Sequence, residues 1–412
     1  MHTHWIHYSI LAVLLLMAAV SGVQGATLVV APSGADFTTI QPAVDAASPG
    51  DTIAVQAGTY PGDIVVRTPV TVLGTDGVSI GTDGELAAFI IEADGVTISD
   101  LACDGPAIGI MLNASSGSHV RECNVVAGDT GILFSDCVNC SVSDTSILAD
   151  QSGLEITSSE NIEIEEVRVN GGASGVTLHN VDAFALRKSA VLGCDIGIIA
   201  EHCGNGTIEE TTFSDVDAGM LGIGVTDTRI TGSTLSNVIQ YLQMYNAIGC
   251  TVEADTMEGP DYFSADVFSD TVYACGPWTV SGWNFGLLRQ IYDTPEGYLQ
   301  FGGALNFTAI EGAESFTDPF ILMEAEASAA DLEGYDAETF GFYRIDGAKP
   351  VFAGATTIED NGGAITSATA TAPGDYALLA KTETTGPDLF YVLIGILAVI
   401  GIVLFYLVWR KD

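Results

Sequence analysis

The chain has 412 residues, enough for more than one domain. Acidic side chains outnumber basic ones 53 to 12, which gives a formal net charge of −41. This charge disfavours nucleic acid as a partner, because nucleic-acid binding needs clustered Lys and Arg, and it favours a solvated acidic surface that accumulates cations. The 8 cysteines are compatible with disulfides in an exported protein, but their spacing assigns no pairs.

Residues 1–26 resemble a secretory signal peptide. An apolar run over 9–20 is followed by small residues, with Val23 and Gly25 placed for signal cleavage. The preceding segment carries His2, His4 and His7 but no Lys or Arg. An uncleaved signal anchor is therefore the alternative.

The segment 27–66 predicts a strand, a helix and two further strands. Phe37, Ile40, Val44 and Ala47 share one helical face, and Thr38 with Gln41 is spaced for a capping box. A helix with such a face would cap the open end of whatever sheet structure follows it, where unpaired strand edges invite aggregation.

A glycine then recurs every 22 residues, and three apolar columns keep phase with it. The glycines are Gly109, Gly131, Gly153, Gly175, Gly197 and Gly219. The first column follows each glycine directly and contains Ile110, Ile132, Leu154, Val176, Ile198 and Met220. The second, eleven positions after it, contains Val120, Val142, Ile164, Leu186, Ile208 and Ile230. The third, sixteen after it, contains Val125, Ile147, Val169, Val191, Phe213 and Leu235. A repeat of this length indicates a solenoid.

The residues within one period indicate which solenoid this is. Ile and Val alternate with Ser, Thr, Glu and Asp, as strands require, and the intervening Gly, Asn, Ser and Asp supply turns and leave no room for a helix. Three strands and three turns per coil predict a parallel β-helix that rises about 4.8 Å per coil. Regular coils run from about 87 to 258, and we assign 27–258 to this domain.

A family resemblance rests on the opening segment together with these coils. The stretch APSGADFTTIQPAVDAASPGDTIAVQAGTYPGDIVV, Ala31 to Val66, resembles the start of pectin-lyase-like right-handed β-helix proteins, a group that includes pectinesterases and NosD-type copper-associated periplasmic proteins. The resemblance covers roughly 27–258 and implies an all-β, right-handed parallel β-helix. It does not imply one function, because the fold hosts lyases, hydrolases, esterases and non-enzymatic surface proteins.

The remainder of the chain predicts three further parts. Residues 259–302 keep no 22-residue phase and form a transition segment, and 303–385 predict a small antiparallel β-sandwich with hairpin turns at Asp346-Gly347 and Asn361-Gly362. The segments DLEGYDAETFGFYRIDG and PGDYALLA resemble a module of archaeal envelope proteins. Residues 386–412 predict a membrane anchor, because 389–409 is an uncharged apolar run followed by Arg410 and Lys411. This predicts a single-pass protein of the cell membrane, with a short cytoplasmic tail and the bulk of the chain extracellular.

One corner of the coils carries acidic side chains in consecutive repeats. Asp100, Glu122, Asp144 and Glu166 all lie at the turn after the second strand, followed there by Lys188 and Glu210. Stacked carboxylates repel one another unless a cation or basic side chain lies between them, and hard cations prefer such oxygen ligands. We predict Ca²⁺ or Na⁺ association along Asp100–Glu166. A neighbouring column, Arg121, Glu165, Arg187 and Glu209, predicts ion pairs that meet part of this charge.

Three further features bear on whether the chain has a catalytic or a soft-metal site. The strings NTD, DD, GHG and GYQDT of polygalacturonase-like and pectinesterase-like enzymes are absent, so we assign no catalytic residue. His179 and His202 lie on adjacent coils, with Cys203 next in sequence, and such ligands suit a soft metal. The alternative is that these are turn histidines and a buried cysteine. Cys137-Val-Asn-Cys140 is a lone CxxC string that packs in a turn or bridges locally.

Asparagines mark a further column and four possible modification sites. Asn139, Asn161 and Asn205 recur just before the second strand, where stacked amides would bond to one another. Asn-x-Ser/Thr sequons begin at Asn113, Asn139, Asn205 and Asn306, so an exported chain could carry glycans there.

The sequence favours a non-catalytic, membrane-anchored extracellular β-helix protein with a structural or adhesive role in the cell envelope. Its expected partners are the membrane, envelope polysaccharide or surface-layer proteins, and its one possible cofactor is Ca²⁺. A carbohydrate-active lyase or hydrolase is the first alternative, and a NosD-like metal-handling accessory protein is the second.

Overall fold

The structure is a computed structural model. It describes residues 25–81, 86–104, 107–253, 256–258, 262–269, 272–275, 278–281, 285–290, 294–309, 321–346, 349–370 and 374–382. The predicted membrane span, 389–409, and residues 1–24 of the predicted signal peptide lie outside these ranges. Over the described residues, no helix combines the length and apolar character that crossing a membrane would require.

The chain folds as a parallel β-solenoid of the right-handed type with about 10 turns, followed by antiparallel sheets. Each regular coil contributes one strand to each of three sheets. Equivalent residues of successive coils pair in register, so Ile132 lies beside Leu154, and Val142 lies beside Ile164. The predicted all-β, parallel β-helical fold is therefore confirmed.

Sheet 1 contains the repeating glycines. Its strands are Ile64–Val66, Ala87–Ile91, Ile108–Asn113, Thr130–Ser135, Ser152–Thr157, Ser174–His179 and Ile196–Glu201, then the long strands Thr212–Ile223 and Thr234–Ile248, and Tyr262–Ser269.

Sheet 2 carries the second apolar column. Its parallel strands are Thr27–Val30, Thr52–Val55, Thr71–Gly74, Thr97–Ser99, His119–Arg121, Ser141–Ser143, Glu160–Glu165, Asp182–Arg187, Thr207–Glu209, Arg229–Thr231, Thr251–Glu253 and Val272–Cys275. Parallel pairing therefore continues to residue 275.

Sheet 3 carries the third apolar column. Its strands are Gly58–Pro61, Val78–Gly81, Ala102–Asp104, Asn124–Ala127, Ser146–Ala149, Arg168–Asn170, Ala190–Leu192 and Thr256–Glu258. The strands Thr212–Ile223 and Thr234–Ile248 run from sheet 3 through the corner into sheet 1, so the two sheets join there.

The three predicted apolar columns form the interior. All eighteen of their side chains are buried within one continuous core, each stacked on its equivalent in the next coil. Stacked Ile, Val and Leu side chains of this kind remove apolar surface from water along the whole solenoid, which is the main source of its stability.

One short helix, Ile40–Ala46, packs against the strands Thr27–Val30, Thr52–Val55 and Ile64–Val66. It buries Ile40, Ala43 and Val44 in the solenoid core, as its predicted face requires. The predicted capping box is wrong, because the N-cap is Thr39 and it makes no side-chain bond. The Gln41 side chain instead bonds both backbone groups of Val65, at 2.7 and 3.1 Å, and so attaches the helix to the neighbouring strand.

Antiparallel strands follow the solenoid and continue its sheets. They are Trp278–Ser281, Phe285–Gln290, Tyr298–Ala309, Ile321–Ala327, Tyr335–Asp346, Lys349–Phe352, Gly354–Ile358, Ala364–Ala370 and Gly374–Thr382. The hairpin predicted at Asn361-Gly362 joins Gly354–Ile358 to Ala364–Ala370, and Gly362 has a φ of 85°.

Candidate functional site

The corners of the coils are built from residues with left-handed backbone. At the corner after sheet 1, φ is positive in seven successive coils, at Ala114, Asp136, Ser158, Asn180, His202, Gly224 and Asn246. At the corner before sheet 2, it is positive at Gly95, Gly117, Asn139, Asn161, Ala183, Asn205, Asp227 and Gly249. Glycine, Asn and Asp adopt this conformation at low cost, so the repeated turn explains much of the polar composition of the corners.

The four predicted cation-site residues share the corner after sheet 2. Asp100, Glu122, Asp144 and Glu166 all have φ between 49° and 59°. The backbone N–H of each donates to a carbonyl oxygen of the next coil, at 3.3 Å from Asp100 to Arg121 and 3.1 Å from Glu122 to Ser143. The side chains therefore form one file on the outside of the solenoid, as the repeat predicts.

Two carboxyl groups of this file touch. A hydrogen bond that protonated Glu122 donates to Asp100, followed by the negative charge of Asp100, raises the pKa of Glu122 above its ordinary value. The file ends at Lys188, whose Nζ lies 2.7 Å from Glu165 Oε1 in the neighbouring column. Among the described residues, no group of three or more His, Cys, Asp or Glu is arranged to hold a metal ion. The Ca²⁺ or Na⁺ site thus stays a prediction.

Ion pairs run along the outer face of sheet 2. Arg187 Nε lies 3.2 Å from Glu209 Oε2, as the alternating column predicts, and Arg229 lies 3.1 Å from Glu253. The paired side chains are about half exposed, so each pair contributes little to stability.

The two histidines that the sequence pairs have separate surroundings. His179 ends a strand of sheet 1, and its Nδ1 lies 3.1 Å from Glu201 Oε2 on the next coil. His202 is exposed at the following corner, with a φ of 55°. The buried thiol of Cys203 contacts the carbonyl oxygens of Leu178 and Glu201 at 3.6 and 3.3 Å.

His202 lines an open groove of about 370 Å³ at the corner between sheets 1 and 2, together with Asn180, Asp182, Gly204, Gly224 and Thr226. Two of its glycines allow neighbouring side chains to approach the backbone closely. A β-carbon on Gly204 would lie 2.8 Å from Thr226 Oγ1 and 3.3 Å from Asp182 Oδ1. A β-carbon on Gly224 would lie 3.2 Å from His202 Cδ2. We call this surface the corner groove.

A neighbouring amide holds the carboxylate of the corner groove. Asn205 Nδ2 donates a hydrogen bond of 2.7 Å to Asp182 Oδ1. The groove thus presents a carboxylate, an imidazole, a hydroxyl and an amide on a rigid backbone, a set that both donates and accepts hydrogen bonds.

Sequence reasoning found His202 but missed Asp182 and Thr226. The signal was present in the repeat, because Asp182, Gly204 and Thr226 occupy one position in three successive coils. A glycine in a polar column indicates a position where the polar side chains of the adjacent coils approach the backbone closely.

The structure shows the hydrogen bonds of the predicted asparagine column and the exposure of the four sequon asparagines. Asn161 Nδ2 donates to Asn139 Oδ1 at 2.6 Å, as predicted, whereas Asn205 bonds Asp182 because Ala183 occupies the intervening coil. Asn139 and Asn205 are exposed, and Asn113 and Asn306 are half-buried. The Nδ2 atom of Asn306 donates to Asp375 Oδ1 at 2.5 Å.

This architecture defines the chain as a parallel β-helix protein. Residues 65–246, the stretch that contains the corner groove, match the sequence model of the NosD family, described as "Periplasmic copper-binding protein (NosD)". No curated protein sequence matches the chain.

Solved structures share the fold. The polygalacturonase from Erwinia carotovora ssp. carotovora aligns with a TM-score of 0.52 at 12% identity, over 61% of this chain and 94% of its own. The alginate lyase from Paenibacillus sp. str. FPU-7 aligns with a TM-score of 0.47 at 16% identity, over 57% and 94% of the two chains. At such identity the polygalacturonase alignment supports the fold and no more.

Proposed function

We propose that this chain is a non-catalytic, membrane-anchored extracellular β-helix protein whose corner groove binds a polysaccharide or another envelope component. The observation that carries the proposal is the groove itself. Its Asp182, His202 and Thr226 side chains line one open space of about 370 Å³, and they lie at the edge of a continuously packed core. Ligand sites of this kind use a few convergent polar groups on rigid elements.

The chemistry of the groove favours a polyhydroxylated ligand. Each sugar hydroxyl both donates and accepts a hydrogen bond, and the groove offers groups of both kinds in a small volume. The net charge of −41 disfavours a polyanionic glycan. A neutral polysaccharide, or an acidic one bridged by cations, therefore suits this surface best.

The predicted segments at the two ends support an envelope location. A signal-like run over 9–20 would direct export, and the apolar run over 389–409, followed by Arg410 and Lys411, would anchor the chain with its bulk outside. Between them, the antiparallel strands after the solenoid would form a small β-sandwich next to the membrane. The exposed sequons at Asn139 and Asn205 would then face the extracellular side.

Binding and turnover are separated by testing the purified chain against a panel of neutral and acidic polysaccharides, with reducing-sugar and unsaturated-uronate assays alongside. The proposal expects binding to at least one polysaccharide and no release of products. A suitable variant is His202→Asn, because Asn180 holds the same left-handed corner position one coil earlier. His119→Asn, on sheet 2 and hydrogen-bonded to Ser141, is the matched control.

A carbohydrate-active enzyme is the second candidate, favoured by the raised pKa of Glu122, which suits a general acid. Its geometry argues against this role. Glycosidases hold their two carboxyl groups about 5–9.5 Å apart to admit sugar or water, whereas Asp100 and Glu122 contact each other directly. Product release that is abolished by Glu122→Gln would support the enzyme instead.

Metal handling is the third candidate, favoured by the match of residues 65–246 to the NosD family. Its ligands would be His179 and His202. In the structure, His179 Nδ1 lies 3.1 Å from Glu201 Oε2 on the next coil. Copper analysis of the purified chain, repeated with His179→Ala and His202→Ala, tests this candidate.

A further inference from the structure

Two buried thiols meet inside one corner of the solenoid. Cys137 follows the strand Thr130–Ser135, and Cys140 precedes the strand Ser141–Ser143. Their exposed fractions are 0% and 1%, and each thiol shifts the pKa of the other. The two residues between them turn the chain, so both sulfur atoms point into the same corner.

The preceding coil shows that this contact belongs to the corner and does not depend on the thiols. Ser115 and Ser118 hold the equivalent positions 22 residues earlier, and their hydroxyl oxygens lie 2.7 Å apart. Both serines are buried, like the cysteines above them. The backbone therefore brings these two side chains together whatever their chemistry.

Over the described residues, this is the one coil where both positions are cysteine. Three coils later Cys203 faces Gly206, and Cys250 is paired with Ala247. Both are buried, and both contact backbone carbonyl oxygens. The thiol pair is thus a local feature superimposed on the repeat.

We propose that Cys137 and Cys140 form an intramolecular disulfide when the reduced chain reacts with a disulfide that acts as the oxidant, such as oxidised glutathione or a protein disulfide. The bond would close the exposed corner that carries Asn139, whose left-handed turn, with a φ of 53°, separates the two cysteines. This assignment is independent of the ligand of the corner groove.

The exchange balances in two steps. The thiolate of one cysteine attacks one sulfur of the oxidant, which forms a mixed disulfide and releases one thiolate. The thiolate of the other cysteine then attacks the sulfur of the first, which forms the Cys137–Cys140 bond and releases the second thiolate. The two protons lost by the cysteines pass to the two released thiolates, so the cysteine pair is oxidised and the oxidant is reduced.

Access to the pair sets when the exchange occurs. In the folded corner, interaction with Cys137 lowers the pKa of Cys140 to about 7, whereas the same interaction and burial raise the pKa of Cys137. Both sulfur atoms are buried there, so the oxidant reaches them while the corner is open, during folding. The pKa values of the folded corner do not apply at that stage, so either cysteine can supply the first thiolate.

The experiment refolds the reduced full chain with a mixture of oxidised and reduced glutathione, alkylates the remaining thiols under denaturing conditions and maps the peptides by mass spectrometry. The expected peptide containing both cysteines is unalkylated and two hydrogen masses lighter than its reduced form. Alkylation of both, or a bridge from either to another cysteine, would overturn the assignment.

The variant Cys137→Ser/Cys140→Ser reproduces the Ser115–Ser118 pair one coil below and so preserves the corner. A second measurement compares Tm with and without a reductant. Wild type is expected to lose Tm on reduction, and the double variant is expected to lose none. An equal response of both proteins would contradict the proposal even if a bridge were detected by mass.

Discussion

Val169 packs directly against Gly153: a β-carbon added to Gly153 would lie only 2.2 Å from a methyl carbon of Val169. The valine belongs to sheet 3 and the glycine to sheet 1, so a side chain from one wall of the solenoid fills the space left by the other. The same relationship joins Gly109 to Val125, at 2.2 Å. The glycine that recurs every 22 residues thus lies inside a strand and allows close packing between two sheets; it does not form a turn.

The first prediction follows from that contact. Gly153→Ala should lower the free energy of unfolding by about 1–3 kcal/mol, because the added methyl group overlaps Val169 and the carbonyl of Gly175. Urea unfolding measures the change. Gly81→Ala is the control, because its β-carbon would meet only Thr59 Cγ2, at 3.9 Å. An equal loss of unfolding free energy in Gly153→Ala and Gly81→Ala would contradict the close contact between Gly153 and Val169.

A buried charge tests the second apolar column. Ile164 is 1% exposed and stacks between Val142 and Leu186. Ile164→Asp should destabilise the fold by roughly 3–5 kcal/mol, because the carboxylate has no partner there. Ser146→Asp, at an exposed strand position, is the control. A variant of Ile164 that melts within about 2 °C of wild type would contradict its inward placement.

The contact between Asp100 and Glu122 predicts a pH-dependent stability. Because the folded-state pKa of Glu122 is raised from 4.5, this group adds stability below about pH 4.5 and loses it as the pH rises through the folded value. Glu122→Gln keeps a donor toward Asp100 at every pH. Its Tm should therefore exceed that of wild type at pH 7 and match it at low pH.

Thermal unfolding from pH 3 to pH 8 measures this difference. Glu210→Gln, at the same corner beyond Lys188, is the control and should show no gain at pH 7. A constant offset between Glu122→Gln and wild type across the range would contradict the contact.

Calcium should act on the same file of carboxylates. We expect millimolar Ca²⁺ to raise the Tm of wild type and a chelator to reverse the rise, because a cation relieves the repulsion among Asp100, Glu122 and Asp144. NaCl at equal ionic strength separates specific binding from screening, and Asp100→Asn/Glu122→Gln should lose the calcium response. A Tm that is unchanged by Ca²⁺ and by the chelator would contradict the predicted Ca²⁺ site.

Much of the solenoid could be predicted because a period of fixed length places equivalent residues on the same wall. The inward columns through Ile132, Val142 and Ile147 follow from spacing alone, and so does the file of acids at one corner. The left-handed backbone at Glu122 and Glu166 did not follow, because glutamate, unlike Gly, Asn and Asp, is not favoured in that conformation.

The corner groove could not be read from any single motif. It depends on the close approach of Thr226 to Gly204 and of His202 to Gly224, and on the hydrogen bond from Asn205 that holds Asp182. These relationships join residues of neighbouring coils, so they become visible only when the coils are stacked. The glycine in an otherwise polar column was the one sequence signal.

The most direct test of the proposed function measures polysaccharide binding by wild type, His202→Asn and His119→Asn, with product release assayed in the same samples. The account predicts that wild type and His119→Asn bind the same polysaccharide equally, that His202→Asn binds it about tenfold more weakly, a loss of about 1.4 kcal/mol, and that no products appear. Absence of binding by wild type, equal affinity of all three proteins, or release of products would contradict it.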